Sequence, residues 1–271
     1  MDLEAEYNNR AAVPDHPVVM ARWKADAEAA RAAHPPVEIA YGLGEREVMD
    51  LFEAVPPTTG EHAPVVVFIH GGYWQALDKN WFSWIAPALL SHGVSVAIPS
   101  YDLCPTVRLG KIVEQMRAVT VQLRERTGRR PVVTGHSAGG HLSACMLSEG
   151  KASGALAISG VFDLRPLVET SINAALKLHA NEAAALSPIF WPAPNGGAPG
   201  GTELDCIVGG AETAEFIRQS RDMAQVWATK GADTRFEALD GLNHFTVLDP
   251  LADPDSDLVK RIVEMAKASA R

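Results

Sequence analysis

The sequence predicts an α/β fold with a mostly parallel central β-sheet and helices on both faces. Short apolar runs alternate along the chain with longer amphipathic segments, an alternation typical of βαβ units. The run at residues 64–70 is apolar almost throughout, as expected of a strand that is covered on both faces. The chain has 271 residues, a length that fits one large domain of this class.

Eight segments are predicted as strands. Residues 37–42 and 47–54 are expected to form an antiparallel pair at the start of the sheet. The other six predicted strands lie at 64–70, 94–101, 130–136, 154–160, 204–210 and 234–241. In open sheets of this kind, binding sites form at the carboxyl ends of the strands, so candidate functional residues are sought there.

Four segments have helical periodicity. In residues 109–128, Ile112, Met116, Val119 and Leu123 recur at spacings of three and four, which places them on one helix face. The Ala-rich segment at 18–33 predicts an N-terminal helix outside the sheet. The remaining helical patterns lie at 213–231 and 256–270.

We interpret residues 1–271 as a single domain with two additions to the alternating pattern. Residues 1–35 form an N-terminal segment before the first strand. Residues 161–191 contain short helical pieces without a strand between them, which predicts an insertion that covers the site. The Pro- and Gly-rich stretch at 192–201 is expected to be a surface loop.

Composition excludes several classes of function. The formal net charge is 24 − 33 = −9 and no basic cluster is present, which argues against binding to nucleic acid or to an anionic membrane. No apolar run approaches the roughly 20 residues that span a bilayer, and the acidic N-terminus does not resemble a signal peptide. We therefore expect a cytoplasmic protein with a small-molecule substrate, and a homodimer remains open.

The cysteine pattern is unlike that of a disulfide framework or a zinc site. Cys104, Cys145 and Cys206 are odd in number and widely spaced, and no C-x-x-C pair occurs. We expect three reduced thiols. No Asp/His cluster has the spacing of metal ligands, so no metal is expected, and no Gly-rich phosphate-binding loop is present.

The strongest chemical signal is a serine between two glycines, Gly135-His136-Ser137-Ala138-Gly139. It follows the predicted strand at 130–136 and precedes a helical segment. This context is that of the nucleophile elbow of α/β-hydrolases, in which a sharp turn exposes the serine hydroxyl above the sheet. We predict Ser137 as the nucleophile of an α/β-hydrolase fold.

A serine hydroxyl needs a base, and in this fold the acid and then the base follow the serine along the chain. His244 comes just after the last predicted strand and is the only histidine beyond residue 179, so it is the predicted base. The predicted acid is Glu212, at the junction of a strand and a helix. Asp205, Glu215 and Asp240 are its alternatives.

The segment Phe68-Ile69-His70-Gly71-Gly72-Tyr73-Trp74 is the second signal, because it ends a strand where this fold builds its oxyanion hole. We assign the hole to the backbone N–H groups of Gly71, Gly72 and Ala138. His70, His136 and His141 lie near the site in sequence and are interpreted as supporting residues. The residues assigned to the substrate pocket are His70, Tyr73, Trp74, His136 and Phe245.

These motifs resemble the kynurenine formamidase (arylformamidase) branch of the α/β-hydrolases. The likeness rests on "HGGYW" at 70–74, "GHSAGG" at 135–140, "GAETAEFIRQS" at 210–220 and "GLNHF" at 241–245, and it extends to "YNNRAAVPDH", "MDLFEA" and "SYDLCP". In that family the nucleophile, acid and base match Ser137, Glu212 and His244. The usual acid there is Asp, so Glu212 is a departure.

The resemblance implies hydrolysis of N-formyl-L-kynurenine to L-kynurenine and formate, a step of tryptophan breakdown, through a formyl-serine and without a cofactor. It also suggests that the N-terminal segment and residues 161–191 cover the substrate. Two other functions remain open. The same triad would serve a carboxylesterase of small acyl or aryl esters, and the fold also occurs in non-catalytic binding proteins.

Overall fold

The computed structural model describes residues 2–56, 62–194 and 203–268. Within them, eight strands form one sheet. The strands are β1 (Val37–Ala40), β2 (Val48–Phe52), β3 (Val65–Ile69), β4 (Ser95–Pro99), β5 (Val132–His136), β6 (Gly154–Ile158), β7 (Glu203–Gly209) and β8 (Asp233–Leu239). Each coincides with a strand predicted from the sequence, and most of the predicted loop at 192–201 lies outside the described residues.

The strands are ordered β1-β2-β4-β3-β5-β6-β7-β8 across the sheet. β2 is antiparallel to both of its neighbours, β1 and β4, and the remaining strand pairs are parallel. The predicted antiparallel pair is therefore confirmed, with Val37 opposite Leu51. Since β3 and β5 are parallel neighbours, the loops that follow them meet at the same edge of the sheet.

The described residues form ten α-helices, several of them a single turn long. They are α1 (Leu3–Tyr7), α2 (Asn9–Ala12), α3 (His16–Ala33), α4 (Ala86–Ser91), α5 (Leu109–Thr127), α6 (Ala138–Ser148), α7 (Asn173–Leu176), α8 (Ala180–Ala185), α9 (Ala214–Thr229) and α10 (Asp257–Ala268). α3, α5, α9 and α10 correspond to the four helical patterns in the sequence. None of the described helices is long and apolar enough to cross a membrane.

Two apolar cores lie on opposite faces of the sheet, and the side chains of β3 alternate between them. Val65, Val67 and Ile69 join the core that includes residues of α5, α6 and α9. Val66 and Phe68 join the core that includes residues of α3, α4 and α10. This is the pattern of a strand covered on both faces, so the predicted α/β fold is confirmed.

Three histidines besides His244 are buried among the described residues, where a charged imidazole is poorly solvated. Burial lowers the pKa of His70 and of His141 to about 4. It also holds the pKa of His136 well below its usual range, and the neighbouring imidazole of His244 adds to the effect. An unfolded chain binds protons at these positions near pH 6.5, so the unfolded state takes up protons before the native state does.

We expect the free energy of unfolding to fall as the pH is lowered from 6.5 toward 5. Each of the three histidines contributes up to about 1.4 kcal/mol per pH unit in this window, because only the unfolded state is protonated there. Urea unfolding at fixed ionic strength measures the slope. His141→Gln should make it shallower, whereas the same change at the exposed His34 should not. A slope unaltered by His141→Gln would contradict the explanation.

Candidate active site

Ser137 lies at a sharp turn between β5 and α6. Its backbone has φ 56° and ψ −115°, a conformation rarely adopted by residues with a side chain. Its N–H donates to the carbonyl of Ile158 on the neighbouring strand at 2.8 Å, which fixes the turn against the sheet. Ser137 is the N-cap of α6, so the first N–H groups of that helix point toward the serine.

The glycines on either side of the serine are required by contacts between backbones. A Cβ on Gly139 would lie 1.9 Å from the carbonyl oxygen of Ile69 on β3, and one on Gly135 would lie 2.4 Å from the carbonyl oxygen of Gly139. Neither position has room for a side chain. The G-x-S-x-G spacing therefore lets the turn pack against the end of β3.

Glu212 and His244 form a buried pair. A carboxylate oxygen of Glu212 lies 2.6 Å from Nδ1 of His244, and the two side chains are 1% and 7% exposed. The second oxygen accepts from the Gly209 N–H at 2.7 Å and from the Ser159 hydroxyl at 2.5 Å. Because the carboxylate accepts at Nδ1, neutral His244 carries its proton there and leaves Nε2 free to accept another.

The structure separates Glu212 from the three other acids considered from the sequence. Glu215 lies in α9 and forms an ion pair with an arginine of the same helix. Asp205 lies within β7 and pairs with an arginine of α10. Asp240 is exposed. Of these four, Glu212 is the acid that contacts His244.

Gly71 and Gly72 lie against the serine turn. A Cβ on Gly71 would be 2.9 Å from the carbonyl oxygen of His136 and 3.1 Å from Cβ of Ser137. Gly72 has φ 104°, which favours glycine. Among the described residues, no hydrogen-bond acceptor contacts the N–H of Gly71 or Gly72. Gly71 is buried and Gly72 is half-buried. Unpaired N–H groups are rare at buried positions, so these two donors are available to a bound ligand.

Two buried side chains fix the orientation of these donors. Tyr101 donates its hydroxyl to the carbonyl of His70 at 2.9 Å, and His70 donates from Nδ1 to the carbonyl of Gly71 at 2.8 Å. The two rings stack with centroids 4.2 Å apart. In a trans peptide the carbonyl and the following N–H point in opposite directions. Holding these two carbonyls therefore directs the N–H groups of Gly71 and Gly72 away from Tyr101 and His70.

His136 supports His244 from within the serine turn. Its Nε2 donates to the carbonyl oxygen of His244 at 2.8 Å, and the two rings lie 4.6 Å apart. The lowered pKa of His136, caused first by burial, keeps this imidazole neutral. His141 is buried in α6, where Nε2 donates to the carbonyl of Leu186. Neither imidazole is paired with a carboxylate as His244 is.

A cavity of about 350 Å³ opens beside Ser137 and His244. The walls of the cavity come from the N-terminal helices, the loop after β3, the serine turn, the segment around His244 and residues 171–172. The lining residues are Glu4, Tyr7, Asn8, Asn9, Arg10, Met20, Trp23, Gly72, Tyr73, Gln75, Ala76, Leu77, His136, Ser137, Ser171, Ile172, His244 and Phe245. Ser171 and Ile172 belong to the predicted covering insertion at 161–191.

Of the five residues that the sequence assigned to the pocket, the structure places three on the walls of this cavity and two in the core. Tyr73, His136 and Phe245 do line the cavity, but His70 and Trp74 do not. Both are fully buried in the core. His70 stacks on Tyr101, as described above, and Trp74 packs edge-on to a histidine of α6. The backbone has positive φ at both Tyr73 and Trp74. In this turn the Tyr73 side chain lines the cavity, whereas the Trp74 side chain packs in the core.

The N-terminal segment contacts both sides of the site, which was not predicted in this detail. The Tyr73 hydroxyl donates to the carbonyl of Tyr7 at 2.7 Å. The Thr213 hydroxyl, next to Glu212 in sequence, donates to the carbonyl of Glu6 at 2.7 Å. Met20 and Trp23 of α3 also line the cavity and were missed, because their spacing indicates only an amphipathic helix. The one signal for this segment was its likeness in "YNNRAAVPDH".

The chain is similar to known proteins over most of its length. A family model described as alpha/beta hydrolase fold matches residues 66–195. Kynurenine formamidase of Salmo salar is 30% identical over 84% of this chain and 81% of its own length. The Drosophila melanogaster enzyme of that name is 32% identical over 80% and 77%.

A solved structure is similar over nearly the whole chain. It is a crystal structure from Silicibacter sp. TM1040 whose protein carries the provisional name thioesterase. It is 35% identical, covers 97% of this chain and 99% of its own, and superposes with a TM-score of 0.85. Together with the geometry of the serine turn and the Glu212–His244 pair, these similarities establish that the chain belongs to the kynurenine formamidase family of α/β-hydrolases.

Proposed function

We propose that the chain hydrolyses an aryl formamide, N-formyl-L-kynurenine, to L-kynurenine and formate. One observation carries the proposal. The elbow serine, a histidine oriented by a buried carboxylate and a loop with two unpaired N–H groups meet at one cavity. The choice of substrate rests on the relatives named kynurenine formamidase, which are 30% and 32% identical to this chain.

In the proposed mechanism, Ser137 Oγ attacks the formyl carbon while Nε2 of His244 accepts the hydroxyl proton. The carbonyl oxygen becomes a tetrahedral oxyanion, which accepts hydrogen bonds from the N–H groups of Gly71, Gly72 and Ala138. One such donor is worth about 3 kcal/mol in the transition state. The first two are already oriented by the hydrogen bonds of His70 and Tyr101.

The intermediate collapses when the C–N bond breaks and His244 gives its proton to the departing arylamine. Water then gives a proton to His244 and attacks the carbonyl carbon of the formyl-serine. The second tetrahedral intermediate collapses as its bond to Ser137 Oγ breaks, His244 returns its proton to Oγ, and formic acid leaves and ionises to formate. Glu212 stabilises the imidazolium of both half-reactions and keeps the proton of neutral His244 on Nδ1. The pair is buried, so solvent screens this interaction little.

The cavity supports an aromatic substrate. Its volume of about 350 Å³ lies within the usual range for small-molecule sites. Tyr73, Trp23 and Phe245 line its walls, and aromatic side chains pack well against an aryl ring. The N-terminal segment and the stretch around Ser171 contribute to the lining, which supports their predicted role in covering the substrate.

An esterase is the second candidate, because attack on an ester uses the same serine, base and oxyanion hole. The provisional thioesterase name of the Silicibacter structure favours testing it. A non-catalytic binding protein is disfavoured, since such a protein would have no need of an oriented histidine and two unpaired N–H donors beside the elbow serine.

The deciding experiment compares kcat/KM for N-formyl-L-kynurenine with values for a series of p-nitrophenyl acyl esters and one acyl thioester. We expect the formamide to reach about 10⁴ M⁻¹s⁻¹ or more, as natural substrates do, and to exceed the esters. Good turnover of an ester or thioester with negligible turnover of the formamide would instead make the chain an esterase of this family.

The same proposal includes a cytoplasmic location. All three cysteines are free and buried, as expected of a protein in a reducing compartment. Cell fractionation beside a cytosolic marker tests it, and recovery in an oxidising compartment would contradict it.

A further inference from the structure

The cavity has two chemically different ends. Aromatic side chains line one part of it, among them Trp23 and Phe245, which are almost completely buried. Exposed polar side chains line another part, namely Glu4, Asn8 and Arg10. A ligand that fills the cavity therefore meets apolar walls in its buried part and charged groups where the cavity opens to solvent.

Among the described residues that line the cavity, Arg10 is the only lysine or arginine. No carboxylate in the described part of the chain forms an ion pair with it, although ten other arginines are ion-paired. The carboxylate of Glu4, which also lines the cavity, is hydrogen-bonded elsewhere. Its oxygens accept hydrogen bonds from the N–H and the hydroxyl of Ser171 at 2.7 and 2.6 Å. The guanidinium is therefore free to bind an anion.

The backbone that carries Arg10 is held in place. The carbonyl of Tyr7 accepts from Tyr73, Asn8 caps α2 by accepting from the Ala11 N–H at 3.1 Å, and Asn9 is buried. Only the Arg10 side chain has to become ordered when it binds a ligand, which limits the entropic cost of binding.

We propose that Arg10 binds the carboxylate of an amino-acid tail on the substrate. The inference rests on the proposed function, since it assumes that an aryl formamide occupies the cavity. The formyl group lies at Ser137, the aryl ring packs against the aromatic walls, and the α-carboxylate reaches the guanidinium at the opening. In a chain with a net charge of −9, a local cation is what makes an anionic tail favourable there.

The test is a two-by-two comparison of enzyme and substrate. Wild type and Arg10→Gln are assayed with N-formyl-L-kynurenine and with its carboxamide, which has the same shape without the charge. We expect wild type to prefer the carboxylate by about tenfold in kcat/KM, and Arg10→Gln to show no preference. The loss should appear in KM rather than kcat, because the tail takes no part in the reaction.

Two control variants and a change of salt concentration separate a specific contact from a change in overall charge. Arg124→Gln makes the same charge change on an exposed position of α5 outside the cavity and should behave as wild type. Arg10→Lys should keep part of the preference. High salt should weaken the preference of wild type and leave Arg10→Gln unaffected.

The outcomes are distinct. A preference for the carboxylate that survives Arg10→Gln would overturn the assignment, and so would an equal loss of activity on both formamides. If wild type hydrolyses neither formamide, the proposed function itself fails and the role of Arg10 fails with it.

Discussion

Ser137→Ala is expected to lower kcat by about 10⁵-fold or more, because no other group can form the acyl intermediate. The native structure should survive the change. Alanine keeps the Cβ of serine, so the strain of the positive φ at this turn is unaltered. The N–H that holds the turn to Ile158 belongs to the backbone and is retained. Circular dichroism and thermal unfolding check the fold, and single-turnover kinetics measure the rate.

Ser143→Ala is the matched control for this prediction. It deletes the same atom from a buried serine of α6 whose hydroxyl donates to a helix carbonyl and which does not line the cavity. Its kcat should stay within about tenfold of wild type. A fluorophosphonate probe should label wild type and Ser143→Ala but not Ser137→Ala. Near-normal turnover by Ser137→Ala would show that another residue is the nucleophile.

The sheet was predictable from the sequence because its signal is local. A strand such as β3, buried on both faces, is a short apolar run bounded by glycine or proline, and all eight predicted strands are present. The long helices α5, α9 and α10 were predictable from their periodicity. The single-turn helices α1 and α2 were not, since segments of four or five residues are too short to show a helical repeat.

The site was predictable only in part, because a sequence pattern reports local structure and not contacts between distant segments. The elbow motif and the chain order of the fold select Ser137 and His244. The position of Glu212 at a strand–helix junction only favours it over three other acids, and the structure pairs it with His244. The cavity walls join segments far apart in sequence, such as Tyr7 and Phe245. No local sequence pattern predicts such a contact. Nor does one predict that the Trp74 side chain lies in the core while the neighbouring Tyr73 side chain lines the cavity.

Glu212→Gln is expected to lower kcat by about 10³- to 10⁴-fold, because it reverses the tautomer of His244. The amide oxygen would remain where Gly209 and Ser159 donate, since only an acceptor is satisfied there. The amide nitrogen would then face Nδ1 of His244 and donate to it. His244 would carry its proton on Nε2, toward the cavity, and could no longer accept one from Ser137.

Glu215→Gln is the matched control for this prediction. It removes the same charge three residues along the chain, from a carboxylate that accepts from the Tyr7 hydroxyl at 2.7 Å and pairs with Arg218. The ion pair and the favourable interaction of the Glu215 carboxylate with the α9 dipole would weaken, so we expect a lower melting temperature with kcat within about tenfold of wild type. A larger loss of kcat from Glu215→Gln than from Glu212→Gln would transfer the role of the acid to Glu215.

Glu212→Asp distinguishes the charge of the acid from its reach. The Glu212 carboxylate contacts Gly209, Ser159 and His244 together. Shortening it by one methylene keeps the charge and breaks part of that set. We expect kcat to fall between the values of wild type and Glu212→Gln. Activity equal to wild type would mean that the charge alone is sufficient, and activity as low as Glu212→Gln would mean that orienting His244 is the whole contribution.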